Sequence, residues 1–394
     1  MRIAFFTDSF RENLGGLTRA TIQWYDRLAA AGHSVRVFCL KQTEGSLHAG
    51  DVFEVPAVSL PVVVDFAPDS KLAWGYAVVR RELVTWRPDV VHLHTPWPVS
   101  WLGLWAARSL NLPVVATHHA DLEAAASLPA GRALSAAAGV LARSLYGRCS
   151  VVIAPTRFAA ASLRALGVRS PIAVISNGVE RERFAAARLR VADRRRGTSA
   201  FTESRPVTVL YAGRLSPEKG IGTLLRALQF ALAEEPRLSV RFAGDGPLRG
   251  TVERELRGEL SAGRVTMAGF VPWERMAEEY ARADLLVLPS PHETQGLAAL
   301  EAMAAGLPVV GVNAGALPET VVHGESGLIV PPGNPRALAE ALLKLASDVK
   351  LRRRLGARGA ALSAEHDAAR CLDQAVELYR ALKAARPAAL ERGA

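Results

Sequence analysis

Residues 283 to 312 read ADLLVLPSPHETQGLAALEAMAAGLPVVGV. The segment opens with an apolar run that ends at Ser290, passes through the loop PHET, and continues near Gly296 and Leu297 as an apolar stretch with helical spacing. A second apolar run, LPVVGV, closes it. Apolar strands joined by a helix are typical of a parallel sheet that is covered on both faces. The segment therefore predicts a strand–helix–strand unit of an α/β domain.

The same alternation of strands and helices runs along the chain in two series. Short β-branched runs form the first series: RIAFF, SVRVF, VVHLH, PVVAT, SVVIAP and IAVIS. The pattern restarts after residue 206 with VTVLYAG, SVRFAGDG and RVTMAGF. A chain of 394 residues also exceeds the usual size of a single core. We therefore expect an α/β protein with two Rossmann-like, doubly wound parallel-sheet domains that face a central cleft, with ligands beyond the carboxyl ends of the strands.

Composition gives the domain boundaries. We predict an N-terminal domain over residues 1–180, an Arg-rich linker over 181–206 and a C-terminal domain over 207–366. The last region has apolar residues at helical spacing, so we expect a helix over 367–386 that packs back on the N-terminal domain.

Several classes of protein are disfavoured by composition. Apolar residues make up 49% and charged residues 22% of the chain, as in ordinary globular proteins. No run of about 18 apolar residues occurs, so we expect no transmembrane helix. The start, MRIAFFTDSF, reads as a first strand and not as a signal peptide. Cys39, Cys149 and Cys371 have no metal-ligand spacing, so we expect a reduced cytoplasmic compartment.

Positive charge is concentrated in the middle of the chain. Between Ala124 and Pro206 there are fourteen Arg and four acidic residues, while the whole chain carries +10. Arg132 and Arg143 fall on nearly one helical face. The opposite face carries apolar residues, namely Leu134, Ala138, Leu141 and Leu145. This pattern predicts either an interfacial helix that meets an anionic membrane through Arg132, Arg143 and Arg148, or an ordinary helix that faces the core. A solvated, Arg-rich linker is the alternative for the basic region as a whole.

The segment YAGRLSPEKG, from Tyr211 to Gly220, follows a predicted strand and precedes a helix. Gly213 permits a ligand to approach the backbone closely. Arg214 can grip a phosphate through its planar fork, and Lys219 adds a point charge beyond a Pro-containing turn. Together the two cations suit a diphosphate. The alternative is a surface turn before a helix.

Two acids flank the start of the helix in the opening segment. The amides at Gly296 and Leu297 form an anion site that the helix dipole favours. With a diphosphate there, Glu293 lies ahead of the helix near a sugar. Glu301 lies more than one turn inside the helix, where it can accept ribose hydroxyls. The alternative makes Glu293 a helix-capping acid and Glu301 an exposed helix residue.

Histidines at neighbouring strand ends invite a metal hypothesis, because His92, His94, His118 and His119 are all potential zinc ligands. No Cys or Glu completes a familiar spacing, and the chain has no DxD triplet, so we expect no metal. His119 is instead assigned to a ligand. The turn AGDGP, at residues 243–247, lacks the full GxGxxG pattern of a dinucleotide site, and we interpret it as a tight turn.

Taken in order, these motifs resemble the GT4 family of retaining glycosyltransferases with the GT-B fold. The resemblance rests on GRLSPEKG, on the E-x7-E spacing in ETQGLAALEAMAAGLPVV, and on NLGG, VVIAPTRFAAASLRALGV, VISNGVERERF and GLIVPPGNPRALAEAL. It covers most of the chain. It implies a C-terminal domain that binds a nucleotide-sugar donor, an N-terminal domain that binds the acceptor, and no metal or other cofactor.

The resemblance implies roles for the C-terminal residues. Arg214 and Lys219 hold the donor diphosphate, Glu301 binds the ribose, and Glu293 lies by the transferred sugar. These roles agree with the chemistry, because preorganised cations and helix amides stabilise the negative charge that builds on a departing diphosphate.

The resemblance also implies roles in the N-terminal domain. Gly15 and Gly16 let the N-terminal loop approach the phosphate and the acceptor. His119 contacts the donor sugar, with Asp121 nearby.

The acceptor is indicated by two short segments. ETQG carries Gln295 where many family members carry Phe, and with THHADL it resembles the subgroup that glycosylates diacylglycerol-type lipids. We expect a hexosyltransferase that moves a hexose from a nucleotide sugar, UDP-hexose before GDP-mannose, to diacylglycerol or a glycolipid at the inner face of the cell membrane. The alternatives are a soluble or polysaccharide-precursor acceptor, a GT-B sugar-nucleotide epimerase, and a basic nucleic-acid-binding protein. We expect no nucleic-acid partner, since the Arg residues are not interleaved with aromatic residues.

Overall fold

The computed structural model describes residues 1–10, 16–40, 51–59, 71–73, 75–119, 131–196 and 206–386. The chain divides into two compact units. The first comprises Met1–Asn177 with Cys371–Ala394, and the second comprises Gly178–Arg370. Each unit is built on a parallel sheet, so the predicted α/β fold is confirmed.

The first unit contains nine strands in its described residues. They are β1 (Arg2–Phe6), β2 (Ser34–Leu40), β3 (Val52–Val55), β4 (Ala57–Ser59), β5 (Lys71–Ala73), β6 (Val90–Leu93), β7 (Val114–Thr117), β8 (Val151–Ala154) and β9 (Ile172–Val174). Seven of them form a parallel sheet in the order β3-β2-β1-β6-β7-β8-β9. Strands β4 and β5 form a separate antiparallel pair.

Helices cover the sheet of the first unit on both faces. The first five are α1 (Gly16–Ala30), α2 (Tyr76–Trp86), α3 (Pro98–Ser109), α4 (Gly131–Tyr146) and α5 (Arg157–Ala165). The C-terminal helix, Ala368–Ala384, also packs here, because Cys371 and Tyr379 share one apolar core with Ile3 and Phe5. The β-branched strands are buried on both faces, as the sequence pattern predicts.

The second unit has a six-stranded parallel sheet. Its strands are β10 (Val207–Ala212), β11 (Leu238–Ala243), β12 (Val265–Gly269), β13 (Leu285–Leu288), β14 (Val309–Val312) and β15 (Gly327–Val330). They lie in the order β12-β11-β10-β13-β14-β15. Its helices are α6 (Arg181–Arg196), α7 (Ile221–Glu234), α8 (Arg249–Glu255), α9 (Arg257–Ser261), α10 (Trp273–Arg282), α11 (Leu297–Ala304), α12 (Leu317–Thr320), α13 (Pro335–Ser347) and α14 (Val349–Leu362). The C-terminal helix is α15. Short 3₁₀ turns lie at Pro217–Lys219 and Ser363–His366.

Helix α6 differs from the polar linker that the sequence predicts over residues 181–206. Phe184 is fully buried, with 0% exposure, and it shares a core with Tyr280 of α10. The guanidinium of Arg183 lies 4.6 Å from the centre of the Trp273 ring. A few buried contacts therefore dock a helix whose composition is mostly Arg and Ala. Residues 197–205 of the predicted linker lie outside the described residues.

Helix α4 corresponds to the predicted basic amphipathic helix. Ala138 and Leu145 are buried, so this part of its apolar stripe faces the core, as the core-facing alternative proposed. The side chains of Arg132 and Leu134 lie outside the described residues. The exposed residues include Val140, Leu141, Arg143 and Arg148. In the described part of the chain, no helix has the length and apolar character needed to cross a bilayer.

Replacing Phe184 with Ala tests whether α6 belongs to the second unit. The lost ring leaves a cavity beside Tyr280 and Trp273, and we expect the free energy of unfolding to fall by about 3–5 kcal/mol. Leu189, which is 65% exposed on the same helix, is the matched control. Leu189→Ala should change the free energy of unfolding by less than about 0.5 kcal/mol. Urea unfolding of the full chain measures both, and equal effects would show that α6 is not docked through Phe184.

Candidate functional site

The strand order of the second sheet reverses between β10 and β13. The chain passes from β10 to β11 on one side, whereas β13 pairs with the other edge of β10. Open α/β sheets bind ligands at such a switch point, because the loops after the two strands diverge and leave a crevice. Gly213, Arg214 and Lys219 follow β10. Glu293 and Gly296 follow β13, so the predicted donor residues of this unit lie at one end of its sheet.

An ion pair joins these two loops. Lys219 Nζ donates a hydrogen bond to Glu293 Oε1 at 2.7 Å. The two side chains are 29% and 14% exposed, so the pair is partly shielded from water. Glu293 is not the residue that caps α11, since the N-cap position belongs to Gly296. An ammonium group has three donors, so Lys219 can hold Glu293 and an anionic ligand together.

Close backbone contacts at two glycines fix these loops. Gly220 has φ +72°, and a Cβ atom there would overlap the carbonyl oxygen of Pro289. Gly315 has φ +58°, and a Cβ atom would lie 2.7 Å from the carbonyl oxygen of Glu293. That same oxygen accepts a hydrogen bond from Ala316 N at 2.7 Å. The β10 loop is thereby pressed on the end of β13, and the Glu293 loop on the segment after β14.

The first turn of α11, which follows the Glu293 loop, has the features of an anion-binding site. Gly296, with φ +78°, precedes Leu297, the first residue of the helix. The leading amides of a helix have no partner within it, and the helix dipole favours negative charge there. Arg214 is exposed in the β10 loop. Leu215 N donates to Asp245 O at 2.9 Å, so the AGDGP turn supports that loop.

Glu301 is buried in the second turn of α11, with 3% exposure, so it is not the exposed helix residue of the alternative. The phenol of Tyr280, on α10, donates to Glu301 Oε2 at 2.7 Å. No sequence motif singles out Tyr280, because it lies 21 positions from Glu301 in a helix with no motif of its own. The assignment of Glu301 to a ribose stays a prediction, as do the roles of the other site residues.

The switch point of the first unit lies between β1 and β6, where Asp8 follows β1. Asp8 accepts hydrogen bonds from Thr95 Oγ1 at 2.6 Å and from Val99 N, in the first turn of α3, at 3.3 Å. Burial raises the pKa of Asp8 to about 6, although the two hydrogen bonds act in the opposite direction. Gly16 is the first residue of α1, and Gly15 lies outside the described residues.

The four histidines lie at or near the carboxyl ends of β6 and β7. His92 Nε2 is 2.6 Å from Thr117 Oγ1, and its Nδ1 is 2.7 Å from the hydroxyl of Tyr379 on α15. His94 Nδ1 and His119 Nε2 are 3.2 Å apart. Protein groups therefore engage both His92 and His94, and His119 is tied to the core through His94. Asp121, predicted to lie near His119, is outside the described residues.

Burial sets the protonation of this histidine group. It lowers the pKa of His92 and of His94 well below the ordinary value, and nearby imidazoles act in the same direction. The pKa of His119 falls to about 3, first because of burial and then because of His118. These imidazoles are neutral near pH 7, and each can donate one hydrogen bond and accept another. Among the described residues, no group of three or more His, Cys, Asp or Glu is placed to hold a metal ion.

Comparison with known proteins connects both halves of the chain to glycosyltransferases. Residues 14–183 match the family described as Glycosyltransferase Family 4, and residues 198–361 match the one described as Glycosyl transferases group 1. Glycogen synthase of Mycobacterium tuberculosis is 31% identical over 399 residues, covering 94% of this chain and 92% of that protein. Alpha-monoglucosyldiacylglycerol synthase of Streptococcus pneumoniae is 27% identical over 315 residues, covering 79% of this chain and 70% of that protein.

A solved structure aligns with almost the whole chain. Sucrose-phosphate synthase from Thermosynechococcus elongatus aligns with a TM-score of 0.79 at 25% identity, covering 98% of this chain and 99% of that one. Two Rossmann-like parallel-sheet domains of this kind define the GT-B class of glycosyltransferases. The chain belongs to the GT4 family of that class, as the sequence motifs predict, and it is a hexosyltransferase.

The buried histidines predict how stability depends on pH. Their pKa values are lower in the folded chain than in the unfolded one, so below about pH 6.5 the unfolded chain binds more protons and stability falls. Each such group costs up to about 1.4 kcal/mol per pH unit below that value. His94→Asn keeps a donor near the position of Nδ1 but removes one titrating group. Urea unfolding at pH 7.5 and pH 5 should therefore show a smaller loss of stability in this variant than in the native protein, and an equal loss would contradict the assignment.

Proposed function

We propose that the protein is a retaining, metal-independent glycosyltransferase that moves a hexose from a nucleotide sugar to a lipid acceptor. The observation that carries the donor half of this proposal is the Lys219–Glu293 pair at the switch point of the second sheet. The pair lies in the same two loops as Arg214 and the start of α11, and these groups together suit a sugar diphosphate.

Charge explains why an acid and a cation are paired in such a site. The donor diphosphate is an anion, and a lone Glu293 carboxylate near it would weaken binding. With the Lys219 ammonium between them, Glu293 can reach a sugar hydroxyl while the diphosphate keeps a cationic partner. Glu293 in turn holds Lys219 in place before the donor arrives, so little reorganisation accompanies the reaction.

Departure of the nucleotide is the step that these groups assist. As the sugar–oxygen bond breaks, negative charge grows on the diphosphate. We assign the stabilisation of that charge to Lys219, Arg214 and the amides at Gly296 and Leu297. This set of donors replaces a divalent metal in the proposal. A neutral His119 is assigned to a hydroxyl of the transferred sugar, where a ring nitrogen can donate or accept.

Exposed apolar and cationic residues of the first unit support a membrane-bound acceptor. Trp105 of α3 is exposed, as are Val140 and Leu141 of α4. Exposed cations include Arg108 on α3, Arg143 on α4 and Arg148, which lies two residues beyond the end of α4. Arg108 Nη1 donates to the carbonyl oxygen of Arg148 at 3.4 Å, so α3 contacts the segment that follows α4. Apolar side chains among cations favour an anionic bilayer surface.

The relatives support two classes of acceptor. The name of the S. pneumoniae relative, a monoglucosyldiacylglycerol synthase, favours a lipid. The name of the M. tuberculosis relative, a glycogen synthase, favours a polysaccharide, which makes a soluble acceptor the second candidate. The proposed donor is a UDP-hexose, with GDP-mannose second.

Transfer itself is the test of donor and acceptor. The full chain is incubated with UDP- and GDP-hexoses and with diacylglycerol in anionic or neutral vesicles or soluble sugars, all in EDTA, and products are read by mass spectrometry and NMR. We expect an α-linked glycolipid from an α-linked UDP-hexose, formed faster on anionic vesicles. Arg143→Ser combined with Arg148→Ser should remove that preference.

Products made only from soluble sugars would move the assignment to the second candidate. Activity that disappears in EDTA and returns with added magnesium would contradict the metal-free proposal.

Variants of the ion pair test the donor site. Lys219→Ala and Glu293→Gln should each lower turnover by about 100-fold to 1,000-fold, since each removes a preorganised charge at the diphosphate or sugar. Glu253→Gln is the matched control, because Glu253 pairs with Arg249 at 2.8 Å on the surface of the same unit. It should keep near-native turnover. If either site variant keeps near-native turnover while circular dichroism shows an intact fold, the assignment of that residue to the donor site is wrong.

A further inference from the structure

The contact between Tyr280 and Glu301 is almost fully enclosed by protein. Tyr280 is 0% exposed and Glu301 is 3% exposed, and the phenol donates to Glu301 Oε2 at 2.7 Å. The neighbours of Glu301 along α11, Leu300 and Ala302, are fully buried in the apolar core. A carboxylate in such surroundings needs donors to offset its desolvation, and a hydrogen bond from a phenol to a charged oxygen is stronger than one between neutral groups.

Contacts from α6 hold the Tyr280 ring and the end of α10, the helix that carries it. The Phe184 ring packs edge-on against Tyr280, with ring centres 5.4 Å apart and an interplanar angle of 82°. Arg188 Nη1 donates to Ala281 O at 3.1 Å and to Ala283 O, at the end of α10. Helix α6 therefore fixes both the ring and the helix that carries it.

The hydrogen bond restricts the carboxylate of Glu301. A free Glu side chain turns about its last torsion, which is broad and roughly two-fold. With Oε2 bonded to a phenol that cannot move, the carboxylate plane is fixed. A carboxylate has about four lone-pair sites, so the bond from Tyr280 does not by itself prevent Glu301 from accepting hydrogen bonds from the hydroxyls of a ribose.

We propose that Tyr280 is a positioning residue for ribose recognition. By orienting Glu301 it makes the donor site select ribonucleoside diphosphates over their 2′-deoxy forms. The inference rests on the proposed assignment of Glu301 to the ribose. The new element is that the selection comes from a fixed Glu301 carboxylate. Helix α6 holds that carboxylate in place through Phe184 and Tyr280.

A binding cycle separates this role from simple packing. Isothermal titration calorimetry with the full chain gives dissociation constants for UDP, 2′-deoxy-UDP, GDP and 2′-deoxy-GDP. The proteins compared are the native chain, Tyr280→Phe, Glu301→Gln and the double variant. Tyr379→Phe is the matched control, because it removes another buried phenol whose hydroxyl lies 2.7 Å from its partner, His92 Nδ1, in the other unit.

The native protein should prefer the ribonucleotide by at least about tenfold, since a site that bonds a hydroxyl discriminates against its loss. Tyr280→Phe should bring this ratio near to that of Glu301→Gln, and the double variant should show no further fall. Tyr379→Phe should leave the ratio unchanged. Phe184→Leu keeps an apolar side chain but loses the ring edge against Tyr280, so it should lower the ratio partially. This variant replaces Tyr280→Phe in the comparison if Tyr280→Phe does not fold.

Two outcomes overturn the proposal in distinguishable ways. If Glu301→Gln loses the discrimination and Tyr280→Phe and Phe184→Leu keep it, Glu301 reads the ribose without help from Tyr280. If Glu301→Gln also keeps it, or if no nucleoside diphosphate binds the native chain, the proposed donor site itself fails. If Tyr379→Phe lowers the affinity ratio as much as Tyr280→Phe does, the fall reflects a general loss of order and not the loss of a positioning contact.

Discussion

The ion pair between Lys219 and Glu293 is the contact on which the proposed donor site depends. It forms because the strand order reverses between β10 and β13, so that the loops after these strands end side by side. Gly220 and Gly315 then let the loops pack closer than any side chain permits. The result is a paired cation in the loops that precede α11, an arrangement that favours an anionic ligand. The strand order thus brings the charged loops together, and the hydrogen bond between Lys219 and Glu293 orients the two side chains.

The two units present different chemistry at equivalent places in their sheets. The second unit carries charge at its switch point, in a pair that suits a diphosphate. In the first unit, burial keeps His92, His94 and His119 neutral and raises the pKa of Asp8 to about 6. Neutral imidazoles discriminate hydroxyls by hydrogen-bond geometry and not by charge. Such a division suits a reaction in which one partner is a strong anion and the other is a sugar or a lipid.

The sequence predicts the fold and the motif residues well, and the contacts between distant helices poorly. The runs VVHLH and ADLLVLPS mark strands because buried parallel strands are continuously apolar. The E-x7-E spacing from Glu293 singles out Glu301 as a candidate site residue. Helix α6 is missed because Arg dominates its composition and because, among its residues 181–189, only Phe184 and Ala187 are buried. Tyr280 is missed because only tertiary packing brings it to Glu301.

A crystal structure of the full chain with bound UDP-hexose, or GDP-mannose if that is the donor, is the most direct test of the central claim. The proposed donor site predicts diphosphate oxygens within hydrogen-bond distance of Lys219 Nζ and of the amide of Leu297. It also predicts the ribose on Glu301, with the Tyr280 bond retained. A diphosphate bound away from the β10 and β13 loops, with the Lys219–Glu293 pair undisturbed and unengaged, would contradict it.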